Sequence, residues 1–391
     1  MTVTIIGAGL AGLAAACSLA EAGEHVILHE AAKAAGGRAR SYFDAALNCR
    51  IDNGNHLLLS GNTAAMAFLR RIGAGDSLTG PAKPIFPFID VATGASWTLR
   101  LNPGRLPWWI FAPSMRVPGT RAKDYFALLK LRRAKPEDLV ASLIGSGALA
   151  KKLLEPLAIS ALNTMPDIAS AAPLRAGIAE TIERGGAFSI PRFPKIGLSE
   201  SFVDPALEYL AARGAEIYLG SRVTTLDPAQ KTIIAVPPWA AAELLPGLTV
   251  PDEFESIVNL HFKYRANPGA AGFVGLIGGL AEWVFCKGDI LSVTISAANR
   301  FAEISSDEIA GRVWADLQAA FKTTAKIPPF RTLREKRATF AATPAQLAKR
   351  PGPATANPNW KLAGDWTATG LPATIEGAIR SGNTAALAML A

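Results

Sequence analysis

The first thirty residues carry the pattern that most restricts the fold. Residues 2–30 read TVTIIGAGLAGLAAACSLAEAGEHVILHE. The spacing predicts a buried strand over Val3–Ile6, a helix over Leu13–Ala22 and a second strand over His25–His29. Gly23 is a natural C-terminal stop for the helix. A strand–helix–strand unit of this kind builds a parallel sheet, so the sequence predicts an α/β fold.

Gly7, Gly9 and Gly12 form a GxGxxG motif between the first strand and the helix. In such a motif the glycines allow a tight turn, close backbone approach to a pyrophosphate and close helix–strand packing. The helix start also offers free N–H groups to phosphates. Glu30 lies 18 residues after Gly12, where a carboxylate accepts from ribose hydroxyls and disfavours a 2′-phosphate. We predict a dinucleotide site; the alternative is a glycine-rich turn without a ligand.

A second glycine pair indicates which dinucleotide binds. The chain continues AAKAAGGRARS, in which Gly36 and Gly37 allow close approach and Arg38 offers a charge to a phosphate or to the flavin side. A GG-R-x-x-S segment at this place resembles FAD proteins and not NAD dehydrogenases, so FAD is the expected cofactor. The alternative is that Arg38 is a solvated surface charge. A GxGxxA match at 145–150 follows the helical, charged EDLVASLI, so we predict no second nucleotide site.

Composition and spacing exclude several classes of protein. Half of the 391 residues are hydrophobic, 18% are charged and the formal net charge is +8. The charge favours a membrane surface or a phosphate-bearing ligand as partner, whereas no nucleic-acid recognition module is present. The three cysteines and four histidines are too scattered for a disulfide framework or a metal site. No apolar run predicts a transmembrane helix, and residues 2–20 lack the basic start of a signal peptide. We therefore expect a cytoplasmic protein.

Four further segments extend the resemblance along the chain: IDNGNHLLLSGNTAAMAFLRRIGA (51–74), LLEPLAISALNTMPDIASAAPLR (153–175), AVPPWAAAELLP (235–246) and DWTATGLPATIEGAIRSG (365–382). The first and last resemble the flavin amine oxidase and phytoene desaturase superfamily. The middle two resemble one branch of it, the bacterial hydroxysqualene dehydroxylases, which are the squalene-associated FAD enzymes of hopanoid synthesis. The sequence departs from that branch at 227–231, where a short link replaces a longer β-rich excursion.

This resemblance implies a Rossmann-type FAD-binding domain and an α+β substrate domain in a flavin amine oxidase-like fold. The FAD-binding domain is expected to combine residues 1–60, 192–248 and 355–391, and the substrate domain residues 61–191 and 249–354. Within 192–248 we expect a helix over FVDPALEYLAARG and strands over EIYLGSRVTTL and TIIAVP. Alternation in IVNLHFKY (257–264) and DILSVTISAAN (289–299) predicts antiparallel strands that either floor an apolar tunnel or belong to an ordinary core.

The activity implied by the resemblance is reductive removal of the hydroxyl of hydroxysqualene to give squalene. Its partners are a long apolar isoprenoid substrate and an electron donor that the sequence does not identify, for which NAD(P)H is a candidate. An oxidative desaturase or isomerase of a carotenoid-like polyene would use the same fold and flavin. A non-catalytic FAD-binding scaffold is the alternative from a different class.

The resemblance also implies further cofactor contacts, which are Gly54, Asn55, Val223, Gly364, Asp365, Thr374 and Ile375. His56, in the DNGNH segment (52–56), is the candidate catalytic acid, since a leaving hydroxyl needs a proton. The alternative is a neutral histidine that the backbone satisfies. His261 is expected to be a packed core residue, whereas His25 and His29 are expected to be spectators.

Residues 106–135, LPWWIFAPSMRVPGTRAKDYFALLKLRRAK, combine aromatic side chains with a basic cluster. This combination suits a membrane interface, so we leave open a peripheral contact with the inner face of a membrane. The alternative is a core helix with a solvated basic face.

Overall fold

Two β-sheets and the helices packed on them organise the fold, in a computed structural model that describes residues 1–391. The strands, in chain order, are β1 Thr2–Ile6, β2 His25–Glu30, β3 Ser41–Asp44, β4 Cys49–Asp52, β5 Leu58–Leu59, β6 Leu78–Thr79, β7 Ile85–Asp90, β8 Ser96–Arg100, β9 Pro191–Pro194, β10 Glu216–Leu219, β11 Thr232–Ile234, β12 Phe254–Lys263, β13 Phe273–Ile277, β14 Trp283–Lys287, β15 Ile290–Ile295, β16 Phe330–Phe340 and β17 Trp360–Leu362. The α-helices are α1 Leu10–Glu21, α2 Thr63–Arg71, α3 Phe126–Leu131, α4 Val140–Ile144, α5 Glu155–Leu162, α6 Ala171–Glu180, α7 Asp204–Ala211, α8 Pro238–Leu244, α9 Ser306–Phe321, α10 Pro344–Ala348 and α11 Ile375–Leu390.

The first sheet has five parallel strands in the order β10-β2-β1-β11-β17. Alternate apolar residues of β1 and β2 form one buried core with α1 and α11. Helices α1 and α11 cross closely. A Cβ added at Gly382 would lie only 2.1 Å from the Ala11 carbonyl oxygen, so there is no room for a side chain at this position. The predicted Rossmann-type unit is therefore present. Helix α1 begins at Leu10, earlier than predicted, because Gly9 is its N-cap.

The second sheet has seven strands in the order β16-β12-β15-β14-β13-β7-β8. All neighbours are antiparallel except β13 and β7. The predicted antiparallel strands are confirmed, since β12 pairs with β15 from Val258 opposite Ile295 to Lys263 opposite Ile290. Helix α9 covers one face of this sheet and shares a buried core with it. The opposite face packs towards residues 52–57, which places this sheet beside the predicted site.

Only the first part of the strand predicted over residues 216–226 is present, as β10. Pairing with β2 ends at Leu219, and the chain then turns at Gly220, whose φ is +71°. Residues 221–227 form no strand, because the short link at 227–231 provides no neighbouring strand with which they could pair. They cross the sheet face opposite α1, where Val223 and Leu226 line a small cavity of about 230 Å³.

The first core also includes a helix from outside the predicted FAD-binding segments. Ala65, Phe68 and Leu69 of α2 are buried in the same core as α1 and α11. The N–H groups of Ala64 and Ala65 donate to the Glu376 carboxylate of α11. Helix α2 is therefore packed in the core of the first sheet. The limits of the FAD-binding and substrate domains stay a prediction.

Candidate functional site

The turn after β1 has the shape that a dinucleotide requires. Gly7 has a φ of +104°, and a Cβ added there would lie 2.5 Å from the Ala235 carbonyl oxygen. A Cβ added at Gly12 would lie 1.8 Å from the Gly7 carbonyl oxygen, so packing within the protein demands glycine at both positions. At Gly9, in contrast, no atom lies within 4 Å of an added Cβ. Protein packing does not explain Gly9, whereas close approach of a ligand does.

The first turn of α1 offers hydrogen-bond donors beside that space. No side chain caps the helix, and the N–H groups of Ala11 and Gly12 have no acceptor within the chain. Free N–H groups at a helix N-terminus bind anions well. The space in front of Gly9 therefore fits a pyrophosphate.

Glu30 ends β2 next to this turn. Its two carboxylate oxygens accept from the N–H groups of Ala8 and Ala32, each at 2.8 Å. Because each carboxylate oxygen can accept more than one hydrogen bond, both keep capacity for ribose hydroxyls. The backbone contacts fix the carboxylate where the sequence predicts it.

The glycine pair at 36–37 closes the other side of the turn. Gly36 and Gly37 both have positive φ, +102° and +56°, and Gly36 forms an isolated bridge with Gly9. Arg38 then donates to the Asp365 carboxylate at 2.6 Å and to the Ala338 carbonyl oxygen at 2.5 Å. The structure therefore pairs Arg38 with Asp365, so Arg38 is not a purely solvated charge.

The C-terminal motif forms the opposite wall. Gly364 has a φ of +151°, and an added Cβ would lie 2.3 Å from the Trp366 indole nitrogen. Thr374 caps α11 through its Oγ1, which accepts from the N–H of Gly377 at 3.1 Å. Ile375 is the first helical residue. Its N–H and those of Asp365 and Trp366 have no acceptor within the chain, so this wall also offers donors.

The side chain of Trp366 is buried in the protein. We expected the segment from Trp366 to Pro372 to pass along the flavin ring. The Trp366 side chain is only 2% exposed, belongs to a buried cluster that includes Ile234, Phe340 and Leu362, and donates to the Val236 carbonyl oxygen at 3.0 Å. Only the backbone of Trp366 can contribute to the wall.

The DNGNH segment is anchored to the second sheet by buried polar groups. The Asn55 amide donates to Thr294, whose hydroxyl donates to Asn259, at 3.1 and 3.0 Å. Asp52 accepts from Lys287 at 2.5 Å and from the Leu198 N–H at 2.8 Å. These contacts hold Gly54 and His56 at the junction of the two sheets.

His56 is half-buried at this junction, and its charge state follows from burial. Desolvation lowers the pKa of His56 to about 4, against an opposing attraction from Asp52. At neutral pH about one imidazole in a thousand is then protonated. As predicted, His261 is a packed core residue: it is fully buried and pairs with the Ser292 hydroxyl at 2.8 Å.

An apolar wall adjoins the DNGNH segment. Phe193, Phe273 and Phe285 are buried together, and Leu57 and Trp283 pack against them. Neighbouring ring centroids lie 5.7 to 6.3 Å apart. These side chains form a continuous apolar surface beside the DNGNH segment.

A larger cavity lies elsewhere. It measures about 670 Å³, adjoins the β7–β8 edge of the second sheet and contains none of the predicted site residues. Arg100, Arg116 and Lys322 line it. We place the site at the glycine turns. The lining of this cavity contains no glycine turn and no free helix N-terminus of the kind that a dinucleotide site needs.

Residues 106–135 do not form one continuous helix, although the alternative interpretation of this segment was a core helix with a solvated basic face. They form short 3-10 turns at Trp108–Phe111 and Ala122–Tyr125, followed by α3. Trp109 and Tyr125 are buried against each other, at 5.1 Å between ring centroids. None of the helices has the length and apolar character needed to cross a membrane.

Sequence reasoning missed Arg350. It lies after α10, and its guanidinium holds the backbone between Asp365 and Leu371. Nothing local in KRPG (349–352) indicates a role, because the contacts form only when the C-terminal motif folds back over it. The predicted residue Val223 lies over the face of the first sheet, in the small cavity that Ile6 and His29 also line.

Comparison with known proteins agrees with the fold and the motifs. Residues 10–390 match the family described as flavin containing amine oxidoreductase. The chain is 46% identical to a hydroxysqualene dehydroxylase of Rhodopseudomonas palustris, over 100% of this chain and 98% of that one. It is 45% identical to a hydroxysqualene dehydroxylase of Sinorhizobium fredii, over 98% and 97%. The alignment with the first has 411 positions, so about 20 positions of that relative have no counterpart in the 391 residues of this chain.

Among solved structures, an oxidoreductase of Methanosarcina mazei matches with a TM-score of 0.76 at 17% identity, over 99% of this chain and 100% of that one. At this identity the match supports the fold. Together with the family match across residues 10–390 and the glycine turns, it leads to one conclusion: the chain belongs to the flavin containing amine oxidoreductase family.

Proposed function

We propose that the protein is a FAD-dependent hydroxysqualene dehydroxylase, which removes the hydroxyl of hydroxysqualene reductively and yields squalene for hopanoid synthesis. The observation that carries this proposal is sequence identity of 46% and 45% to two hydroxysqualene dehydroxylases, over nearly the full length of each. Oxidative desaturation of a carotenoid-like polyene has no comparable support, because LEPLAISALNT and VPPWAAAELLP resemble the dehydroxylase branch.

The residues described above would hold FAD at the two glycine turns. The N–H groups of Ala11 and Gly12 would bind the pyrophosphate, with Arg38 beside it, and Glu30 would accept from the ribose. Gly54 and Asn55, on one side, and Gly364, Asp365, Thr374 and Ile375, on the other, would flank the isoalloxazine ring. FAD supplies hydride-transfer chemistry, and the protein supplies binding and orientation.

We propose that His56 protonates the leaving hydroxyl. Its low pKa means that the free site holds a neutral imidazole, so a negative charge brought into the site must raise that pKa before His56 can act as an acid. His56→Ala is expected to keep FAD bound and to slow turnover by about 10²–10⁴-fold. Wild-type steady-state dehydroxylation with saturating reductant would rule out this role, and His261→Asn is the matched control for loss of a buried imidazole.

We propose that the substrate enters from a membrane surface. Leu106, Trp108, Phe111, Phe126 and Leu129 are each more than half exposed. Arg116, Lys123 and Lys130 lie in the same segment, and aromatic side chains beside basic ones suit a membrane interface with anionic lipids. A cytoplasmic protein that docks peripherally in this way could accept a long apolar isoprenoid directly from lipid.

One anaerobic experiment tests the central proposal. The bound flavin is bleached with a chemical reductant, hydroxysqualene is added without oxygen, and products are identified by mass spectrometry. We expect reoxidation of the flavin together with formation of squalene. A polyene desaturated by the oxidised protein, with no reaction of hydroxysqualene, would favour the oxidative alternative instead. The electron donor is then identified by replacing the chemical reductant with NADH or NADPH.

A further inference from the structure

Arg350 clamps the loop that leads into α11. Its guanidinium donates to the carbonyl oxygens of Leu371 at 2.9 Å and Asp365 at 3.0 Å, and also to that of Thr367. It donates to the Thr369 hydroxyl at 2.9 Å as well. One side chain therefore ties both ends of the segment between Gly364 and the N-cap of α11.

The charge of Arg350 has no carboxylate partner. No acid lies within ion-pair distance of it, and the nearest acidic group, Asp365, is paired with Arg38. The Nε atom is completely buried and has no acceptor within the chain. Burial lowers the pKa of Arg350 to about 10, so the group stays charged at neutral pH. Buried charges normally have a partner of opposite sign, and here carbonyl oxygens, the Thr369 hydroxyl and the face of the Phe340 ring, 4.9 Å away, surround the charge instead.

The clamp also determines where backbone donors point. In a trans peptide the N–H lies opposite the carbonyl of the preceding residue. Because the Asp365 carbonyl points to Arg350, the Trp366 N–H points away from Arg350. That N–H has no acceptor within the chain. The wall therefore combines a cation that has no carboxylate partner with backbone N–H groups that have no acceptor within the chain.

We propose that Arg350 is a positioning residue for the cofactor, which fixes the loop 365–371 against the isoalloxazine ring and whose uncompensated charge favours the reduced, anionic form of FAD over the oxidised, neutral form. The proposal rests on the FAD site described above and not on the identity of the substrate. It predicts that the reduction potential of bound FAD depends on the charge at position 350, beyond any effect on stability.

The test compares the two-electron reduction potential of bound FAD in wild type and variants, by equilibration with a reference dye. Arg350→Gln removes the charge but keeps hydrogen-bond donors, and it should lower the reduced-to-oxidised ratio at a given potential at least tenfold, or about 30 mV. Arg350→Lys keeps the charge and should stay within threefold of wild type. Arg312→Gln, which removes an arginine charge at an exposed site on α9, should leave the potential unchanged.

Two outcomes overturn the proposal: an unchanged potential in Arg350→Gln, or equal shifts in the Gln and Lys variants, which would assign the effect to loop disorder. If Arg350→Gln does not fold, Arg350→Met replaces it, because methionine fills a similar space without a charge. Its potential should fall by at least about 30 mV relative to wild type, and an unchanged potential would refute the role of charge. Failure of dehydroxylation in wild type would refute the proposed function and leave this result intact.

Discussion

The sharpest prediction concerns Gly9, the one glycine of the GxGxxG motif that protein packing does not require. Its backbone is extended, with φ −71° and ψ 175°, which alanine adopts freely, and an added Cβ meets no protein atom within 4 Å. Alanine at an N-cap costs about 0.5–1 kcal/mol, whereas a less flexible unfolded chain returns about 0.4–1 kcal/mol. Gly9→Ala should therefore change the stability of the cofactor-free protein by less than about 1 kcal/mol.

The same methyl group should interfere with FAD. It would occupy the space beside the free N–H groups of Ala11 and Gly12, and a phosphate displaced from them loses charge-assisted hydrogen bonds worth about 1.5–3 kcal/mol each. Loss of one such bond weakens binding about tenfold to a hundredfold. We therefore expect the dissociation constant for FAD to rise by at least tenfold in Gly9→Ala.

Gly12→Ala is the matched comparison. Its Cβ would lie 1.8 Å from the Gly7 carbonyl oxygen, so overpacking should destabilise the cofactor-free protein by about 1–3 kcal/mol or more. Denaturant unfolding of both apoproteins and FAD titration by fluorescence quenching measure the two effects. Wild-type FAD affinity in Gly9→Ala would refute the assignment of that space to the cofactor, and equal destabilisation of both apoproteins would refute the packing argument.

Three further results are expected. Glu30→Ala should raise the dissociation constant for FAD at least about tenfold, because the ribose loses a charged acceptor; a variant that purifies fully flavinated, with unchanged affinity, would contradict this role, and Glu30→Gln is the control that keeps one acceptor oxygen. Burial lowers the pKa of His261 from 6.5 to about 4. As the pH falls, the unfolded chain then binds the proton before the folded protein does, so about 3 kcal/mol of the free energy of unfolding should be lost between about pH 6.5 and 4. Denaturant unfolding at several pH values should show a smaller loss in His261→Asn than in wild type. An identical loss in the two proteins would be evidence against this role of His261. Replacing Trp108 and Phe111 by serine should weaken binding to anionic liposomes at least tenfold in a sedimentation assay, whereas the equally exposed Leu387→Ser on α11 should bind like wild type.

The parts of the site that could be predicted from sequence are those whose signals are local. The βαβ unit with its glycines and Glu30 spans thirty residues, and turn geometry within that span dictates glycine at Gly7 and Gly12. The start of the last helix was also predictable, since Thr374 is a residue type that caps helices and does so here. Backbone conformation and capping need no knowledge of distant segments.

The remainder depends on contacts between distant parts of the chain. Arg38 and Asp365 pair across 327 positions, so sequence could suggest each as a cofactor contact but not their ion pair. The Trp366 indole is buried and donates to the Val236 carbonyl 130 positions away, a contact that the sequence does not indicate. The strand predicted through Val223 ends at Leu219, since strand formation needs a neighbouring strand that the short link removes.

The Arg38–Asp365 pair also has a consequence for biosynthesis. A ribosome delivers the chain from its N-terminus, so the glycine turn at Gly7 emerges long before its parallel neighbour β11 and before β17. The wall that contains Asp365 and the N-cap of α11 is synthesised long after Arg38, since 327 positions separate Arg38 from Asp365. A growing polypeptide therefore displays half of a nucleotide-binding site while the intervening segments are made. The full set of cofactor contacts can form only after both halves have been synthesised, which makes complete flavin binding a late step.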